Sequence, residues 1–305
     1  MGESDTPHPL DEPHPLDAFN PNCITGLTQG NFCVNLCPMT PLTITTCQAD
    51  NTFGLTQRLA NYLAVRLHIP CICVEDVPWP ERYRLIDSGD ITIGWICGLP
   101  YVKQADRPEP GIDLLATPVM AGERYGARPC YFSDVVVRHD SGWQRFSDLH
   151  GASRAVNEPG SHSGYNIVRY TLAAMGADGR FFSRVIMSGS HLNSLAMILR
   201  GEVDASAIDS TVLEWAFQLR PSLRTQLRII DTLGPSPGPP LVIQRHLPPD
   251  LKAHIHRLLC QMHEEKLGQL ILKYGEVARF TAVTDQDYDP IRQMAQRAAA
   301  IQFPT

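Results

Sequence analysis

The chain lacks any apolar run long enough to cross a membrane, any basic and apolar leader, and any pair of CxxC knuckles. Each absence excludes a class. A spanning helix needs about 20 consecutive apolar residues, so no membrane span is expected. Residues 1–22 read MGESDTPHPLDEPHPLDAFNPN, acidic and proline-rich without one Lys or Arg, which is not an export signal. Two alternatives stay open: a cytoplasmic protein, or a start site that omits a leader. The nine cysteines are irregularly spaced, which argues against structural zinc. They read as reduced, mostly buried small hydrophobes, and unpaired thiols fit a reducing compartment. There is no HExxH, no P-loop and no GxSxG elbow, so neither metal nor cofactor is expected. A net charge of −6 argues against nucleic acid or an anionic membrane as partner, but not against a small anion met by local donors.

What is present is ordered from about residue 40. Before it, PHPLDE at 7–12 is followed by PHPLDA at 13–18, a composition that buries too little apolar surface to fold. Residues 1–39 are therefore expected to form a disordered tail. At 305 residues the chain has room for about two domains. Strand patterns at 42–46, 71–75, 91–95 and 114–119 alternate with helical spacing at 55–67, stopped by Pro70, and at 80–88, stopped by Gly89. A second series follows: strands at 131–138, 153–157, 182–187, 203–208 and 227–231, with helices after 166, 190 and 210. Residues 234–240, GPSPGPP, read as a stiff loop, 241–243 as a strand, and 248–263, 265–274 and 286–300 as helices on the first unit. The pattern is α/β: two lobes, each a mostly parallel sheet flanked by helices, with a ligand cleft between. Residues 40–129 plus 232–305 form the discontinuous first lobe and 130–231 the inserted second.

Three segments carry chemistry. In Asn157–Asn166, NEPGSHSGYN, residues Ser161, His162 and Ser163 fall at a helix start. Unpaired N–H groups, the positive end of the helix dipole and two hydroxyls together make an anion cradle there. An ordinary Ser N-cap with a Gly-rich turn gives the same pattern. In Ser188–Leu192, SGSHL, His191 stands at the next helix start; capping is its alternative role. Asp209 closes the apolar strand at 203–208, at the edge where α/β sheets bind ligands, or else caps a helix beside Ser210. Trp95 and Tyr101 follow the third strand at the same edge and either line the cleft or pack in the core.

Residues 41–275 resemble the phosphonate/phosphate/phosphite substrate-binding proteins of ABC transporters. The resemblance rests on DITIGW at 90–95, SHSGY at 161–165, GSH at 189–191, LRGEVDA at 199–205 and Ile208-Asp209. It implies a periplasmic-binding-protein fold with two crossing strands, a small oxyanion as ligand, an ABC permease as partner and a periplasmic location. By it, Ser161, His162 and Ser163 match the turn holding the phosphoryl oxygens, His191 a ligand-contacting His, and Asp209 a cleft-facing strand end. The turn at 96–100, ICGLP, departs from the aromatic-Gly-Asn pattern of phosphonate binders. An enzyme is not expected, because adjacent Ser161 and His162 diverge and make a poor dyad. Enzymes resembling binding proteins, such as pyrimidine-precursor synthases, and a cytosolic ligand-sensing module are the alternatives.

Overall fold

Alternation of apolar residues sets the sheets. The computed structural model describes residues 40–303, so the expected tail lies outside the described residues. In β1 (Leu42–Thr46), Leu42 and Ile44 enter the core while Thr43 and Thr45 bond sideways, Thr45 Oγ1 donating to Val74 O at 2.6 Å. The other strands are β2 (Cys71–Cys73), β3 (Ile93–Trp95), β4 (Ile112–Met120), β5 (Cys130–Arg138), β6 (Ser153–Val156), β7 (Arg184–Met187), β8 (Ala205–Asp209), β9 (Leu227–Pro237), β10 (Leu241–Gln244) and β11 (Val277–Thr281). The helices are α1 (Phe53–Leu67), α2 (Trp79–Ser88), α3 (Gly98–Ala105), α4 (Ile167–Ala174), α5 (His191–Leu199), α6 (Ser210–Leu219), α7 (Leu223–Gln226), α8 (Pro249–Gln261), α9 (Lys266–Tyr274) and α10 (Asp289–Ala298). Helix α2 ends where Gly89 takes a left-handed φ of 86° and returns its N–H to Ile86 O, a turn that disfavours a side chain.

The sheets are mixed. The first has the order β11-β4-β10-β3-β1-β2, with β10 and β11 reversed; the second has β7-β6-β8-β5-β9, with β5 reversed. Both are covered on two faces, and successive residues serve opposite layers: in β5, Val135 and Val137 enter one cluster and Val136 the other. In β10, Leu241 and Ile243 face one layer and Val242 the second. Two lobes result, joined by the chain at 121–129 and again at 238–240. The second crossing falls late because Thr232, Leu233, Ser236 and Pro237 continue to pair with β5, the last two inside the 234–240 segment expected to be a stiff loop.

Two further differences matter. Residues 277–281 form an edge strand on β4, outside the expected helices. Helix α10 does not rest on the first lobe alone. Ile291 and Ala295 pack with the first lobe, whereas Met294 and the following Ile301 join the second lobe's core. The chain thus passes between lobes a third time, because the helix carries two apolar stripes rather than one.

Candidate functional site

The carboxyl ends of β1, β3, β6, β7 and β8 converge on a cavity of about 240 Å³ between the lobes. Helix starts surround it: the first residues of α1, α5 and α6 are in its lining, together with the turn before α4. Their N–H ends contribute positive partial charge without ionised side chains.

The turn is built by hydrogen bonds. Ser161 Oγ accepts the Gly164 N–H at 3.0 Å, and Ser161 C=O accepts the Asn166 N–H at 3.1 Å, opening the helix as a wide π turn over His162–Asn166. Ser163 C=O is held by the Ser133 hydroxyl at 2.7 Å. The two hydroxyls, Ser161 Oγ and Ser163 Oγ, stand 3.4 Å apart, and both residues line the cavity. Ser163 Oγ also meets His191 Nε2 at 3.1 Å, leaving one proton of that pair to face outward. A Cβ at Gly164 would come within 1.9 Å of Asn157 Oδ1 and 3.3 Å of His191 Cε1, so a larger residue there would push the Asn157 side chain aside.

Ser161, Ser163, His191, Asp209 and Trp95 are brought together around one cavity. His162 and Tyr101 are not in the lining. Within the turn, Ser161 and Ser163 face the cavity and the residue between them does not. His162 Nδ1 accepts from Asn166 Nδ2 at 3.2 Å and Nε2 donates to Ser236 Oγ at 2.9 Å, so the imidazole ties the turn to β9. Tyr101 lies in α3, a helix where an open turn was expected. Its hydroxyl donates to Asp285 Oδ1 at 2.7 Å, and its ring packs on Tyr288. Trp95 serves both core and lining; its indole N–H donates to Pro239 O at 3.0 Å and fixes the second crossing.

Burial sets the charges. It pushes His162 and His191 down to about 4, so both imidazoles are neutral at physiological pH. It pushes Glu158 up to about 7 and, against two hydrogen bonds from Thr211, Asp209 up to about 6. The cation is Arg82, which sequence reading missed. It is 6% exposed and lines the cavity. Its donors reach the carbonyls of Val77 (2.6 Å), Thr46 (2.9 Å) and Glu75 (2.6 Å), and it forms no ion pair among the described residues. A guanidinium has five N–H donors, so two remain for a ligand. The one sequence signal was its spacing four before buried Ile86, on the inward face of α2.

The lobes meet across the site. Asn51 Nδ2 donates to Thr211 Oγ1 at 3.3 Å, and that hydroxyl donates to Asp209 Oδ1 at 2.8 Å. Gln48 Nε2, Asn51 Oδ1, Asn157 Oδ1 and His191 Nδ1 are buried without a hydrogen-bond partner among the described residues, and all four residues line the cavity. Buried polar groups are mostly hydrogen-bonded in folded proteins, and these four converge on one cavity.

Two α/β lobes, paired crossings and a cavity between them into which several buried polar groups project define a clamshell binding protein. The sequence profile of the family described as ABC transporter, phosphonate, periplasmic substrate-binding protein matches residues 43–288, and the chain belongs to that family. The phosphonates-binding periplasmic protein of Escherichia coli (strain K12) is 24% identical over 210 residues, which is 67% of this chain and spans 60% of that relative's length. The binding-protein component of an ABC phosphonate transporter from Pseudomonas aeruginosa superposes with a TM-score of 0.74 at 18% identity, covering 85% of this chain and 87% of that one. PhnD1 from Prochlorococcus marinus (MIT 9301), solved with methylphosphonate, gives a TM-score of 0.73 at 17% identity, covering 86% and 99%. At these identities the structural likeness is one of fold. The family is one of substrate-binding proteins rather than enzymes.

Proposed function

We propose that the chain closes on a small oxyanion of phosphonate, phosphate or phosphite type and is the binding component of an ABC transport system, with a permease as partner. One observation carries the reading. A neutral cradle of hydroxyls, imidazole and helix N–H groups shares one interlobe cavity with a buried guanidinium that has no ion-pair partner among the described residues. Uncharged donors plus a single cation suit a compact anion, because a desolvated charge is stabilised by many short hydrogen bonds. Ser161, Ser163 and His191 hold the phosphoryl oxygens, with Arg82 opposite. Asp209 accepts from a hydroxyl, an amine or an acidic proton at the ligand's other end. Calorimetry with phosphate, phosphite, methylphosphonate and sulfate tests this. Binding of at least one phosphorus oxyanion is expected, and no binding of any sinks the reading.

A pH dependence follows. Below about pH 7 the Glu158 carboxyl is neutral and donates to an oxyanion; above it the carboxylate repels one. Affinity therefore falls as pH rises through that value. The ligand's own ionisation is shared by wild type and Glu158→Gln, so the ratio of their dissociation constants isolates the carboxyl. The expected ratio grows several-fold in favour of Glu158→Gln between about pH 6 and pH 8, and a ratio flat with pH removes Glu158 from the site.

A further inference from the structure

Arg154 is the one fully buried arginine the oxyanion reading does not use. It is on β6, 1% exposed, and has no carboxylate partner among the described residues. Its Nη2 donates to Gly164 O at 2.5 Å, the backbone of the turn that presents Ser161 and Ser163. Its Nη1 has no hydrogen-bond partner there. Aromatic rings hold the group in place, Phe182 at 5.1 Å and Phe303 at 5.3 Å from the guanidinium carbon. Burial lowers its proton affinity, to a pKa of about 9, which leaves it charged at neutral pH.

An unpaired buried cation costs several kcal/mol, and replacing one by an apolar group of similar volume is often neutral or stabilising. The Gly164 carbonyl and the two ring faces offset part of that cost. Phe303 belongs to a strap that follows α10. Arg169 Nε donates to Ile301 O at 2.7 Å, Ile301 is in the second lobe's core, and Phe303 also packs edge-on to Tyr165 and Phe182. The strap passes so close to Gly179 that a Cβ there would stand 1.6 Å from Gln302 O.

We infer that Arg154 is a positioning residue of the oxyanion site: its guanidinium orients the Gly164 peptide and places a positive charge behind the turn, and the Ile301–Phe303 strap holds it there. This rests on the oxyanion reading above. The ligand's charge supplies the remaining compensation, felt through the turn rather than by contact, since Arg154 is not in the cavity lining.

The test measures methylphosphonate and inorganic phosphate affinity, together with the melting temperature of the ligand-free protein. Arg154→Met is expected to weaken binding about tenfold, with a ligand-free melting temperature equal to wild type or higher. The loss is larger at about pH 8, where the probe is a dianion, than at about pH 6, a difference that a packing role alone would not produce. Arg154→Lys recovers part of the affinity. Gly179→Ala shifts the strap off Arg154 without substituting Arg154 or a lining residue and is expected to weaken binding several-fold; if Arg154→Met does not fold, wild-type affinity in a folded Gly179→Ala protein overturns the inference. Wild-type affinity in a folded Arg154→Met protein, or a loss equal at both pH values, overturns the inference. Absence of binding by the wild type itself overturns instead the oxyanion reading on which it rests.

Discussion

Ser161→Ala combined with His191→Ala lowers phosphate and methylphosphonate affinity by about two to four orders of magnitude while the protein stays folded. Hydrogen bonds to a charged group contribute about 1.5–3 kcal/mol each, and the pair supplies two of them from neutral donors already fixed in place. His191 does not act alone: Nε2 shares a proton with Ser163 Oγ, so its loss also frees that hydroxyl to rotate. The structural cost is small. Ser161 Oγ caps the Gly164 N–H, and losing a cap costs about 1 kcal/mol, a few degrees in a chain of this size. Calorimetry with a parallel thermal melt separates the two effects. A double variant that binds as wild type does removes the turn from the site.

Arg82→Leu has an effect of similar size for a different reason. Removing one charged partner from a desolvated ion interaction costs about 2–5 kcal/mol, or roughly 30-fold to several thousand-fold in affinity. This variant also leaves the carbonyls of Thr46, Glu75 and Val77 without a donor, so its melting temperature falls as well. Arg82→Lys distinguishes the contributions: it keeps the charge and loses the fork, so affinity recovers in part and the three carbonyls are only partly satisfied. If folded Arg82→Leu binds an oxyanion at wild-type strength, the cation has no part in recognition.

The alternation of strands and helices was legible because most elements follow one strong pattern and end at Gly or Pro. Residues 98–105 were not, since Gly-Leu-Pro reads as a turn, yet Pro is tolerated in the first turn of a helix. Val277–Thr281 is a five-residue edge strand, too short for its alternation to stand out. The strand through Pro237 contradicts local preference; pairing with β5 overrides it. At the site, the segment around Ser161 was readable as a helix start beside glycines. The direction of His162 was not, because which way each residue of a π turn faces depends on Ser236 and Asn166, far or local partners that spacing alone does not specify. Arg82 was hidden because an arginine on an amphipathic helix looks solvated until the fold places Thr46 O against it.

The third passage of the chain between the lobes has a mechanical consequence. Two ribbons side by side form a strap hinge that both swings and twists. Helix α10 and the residues after it, anchored by Ile291 to one lobe and by Met294 and Ile301 to the other, act as a stay set off that axis. A link set beside two crossings restricts how one lobe can turn on the other more tightly than the crossings alone would.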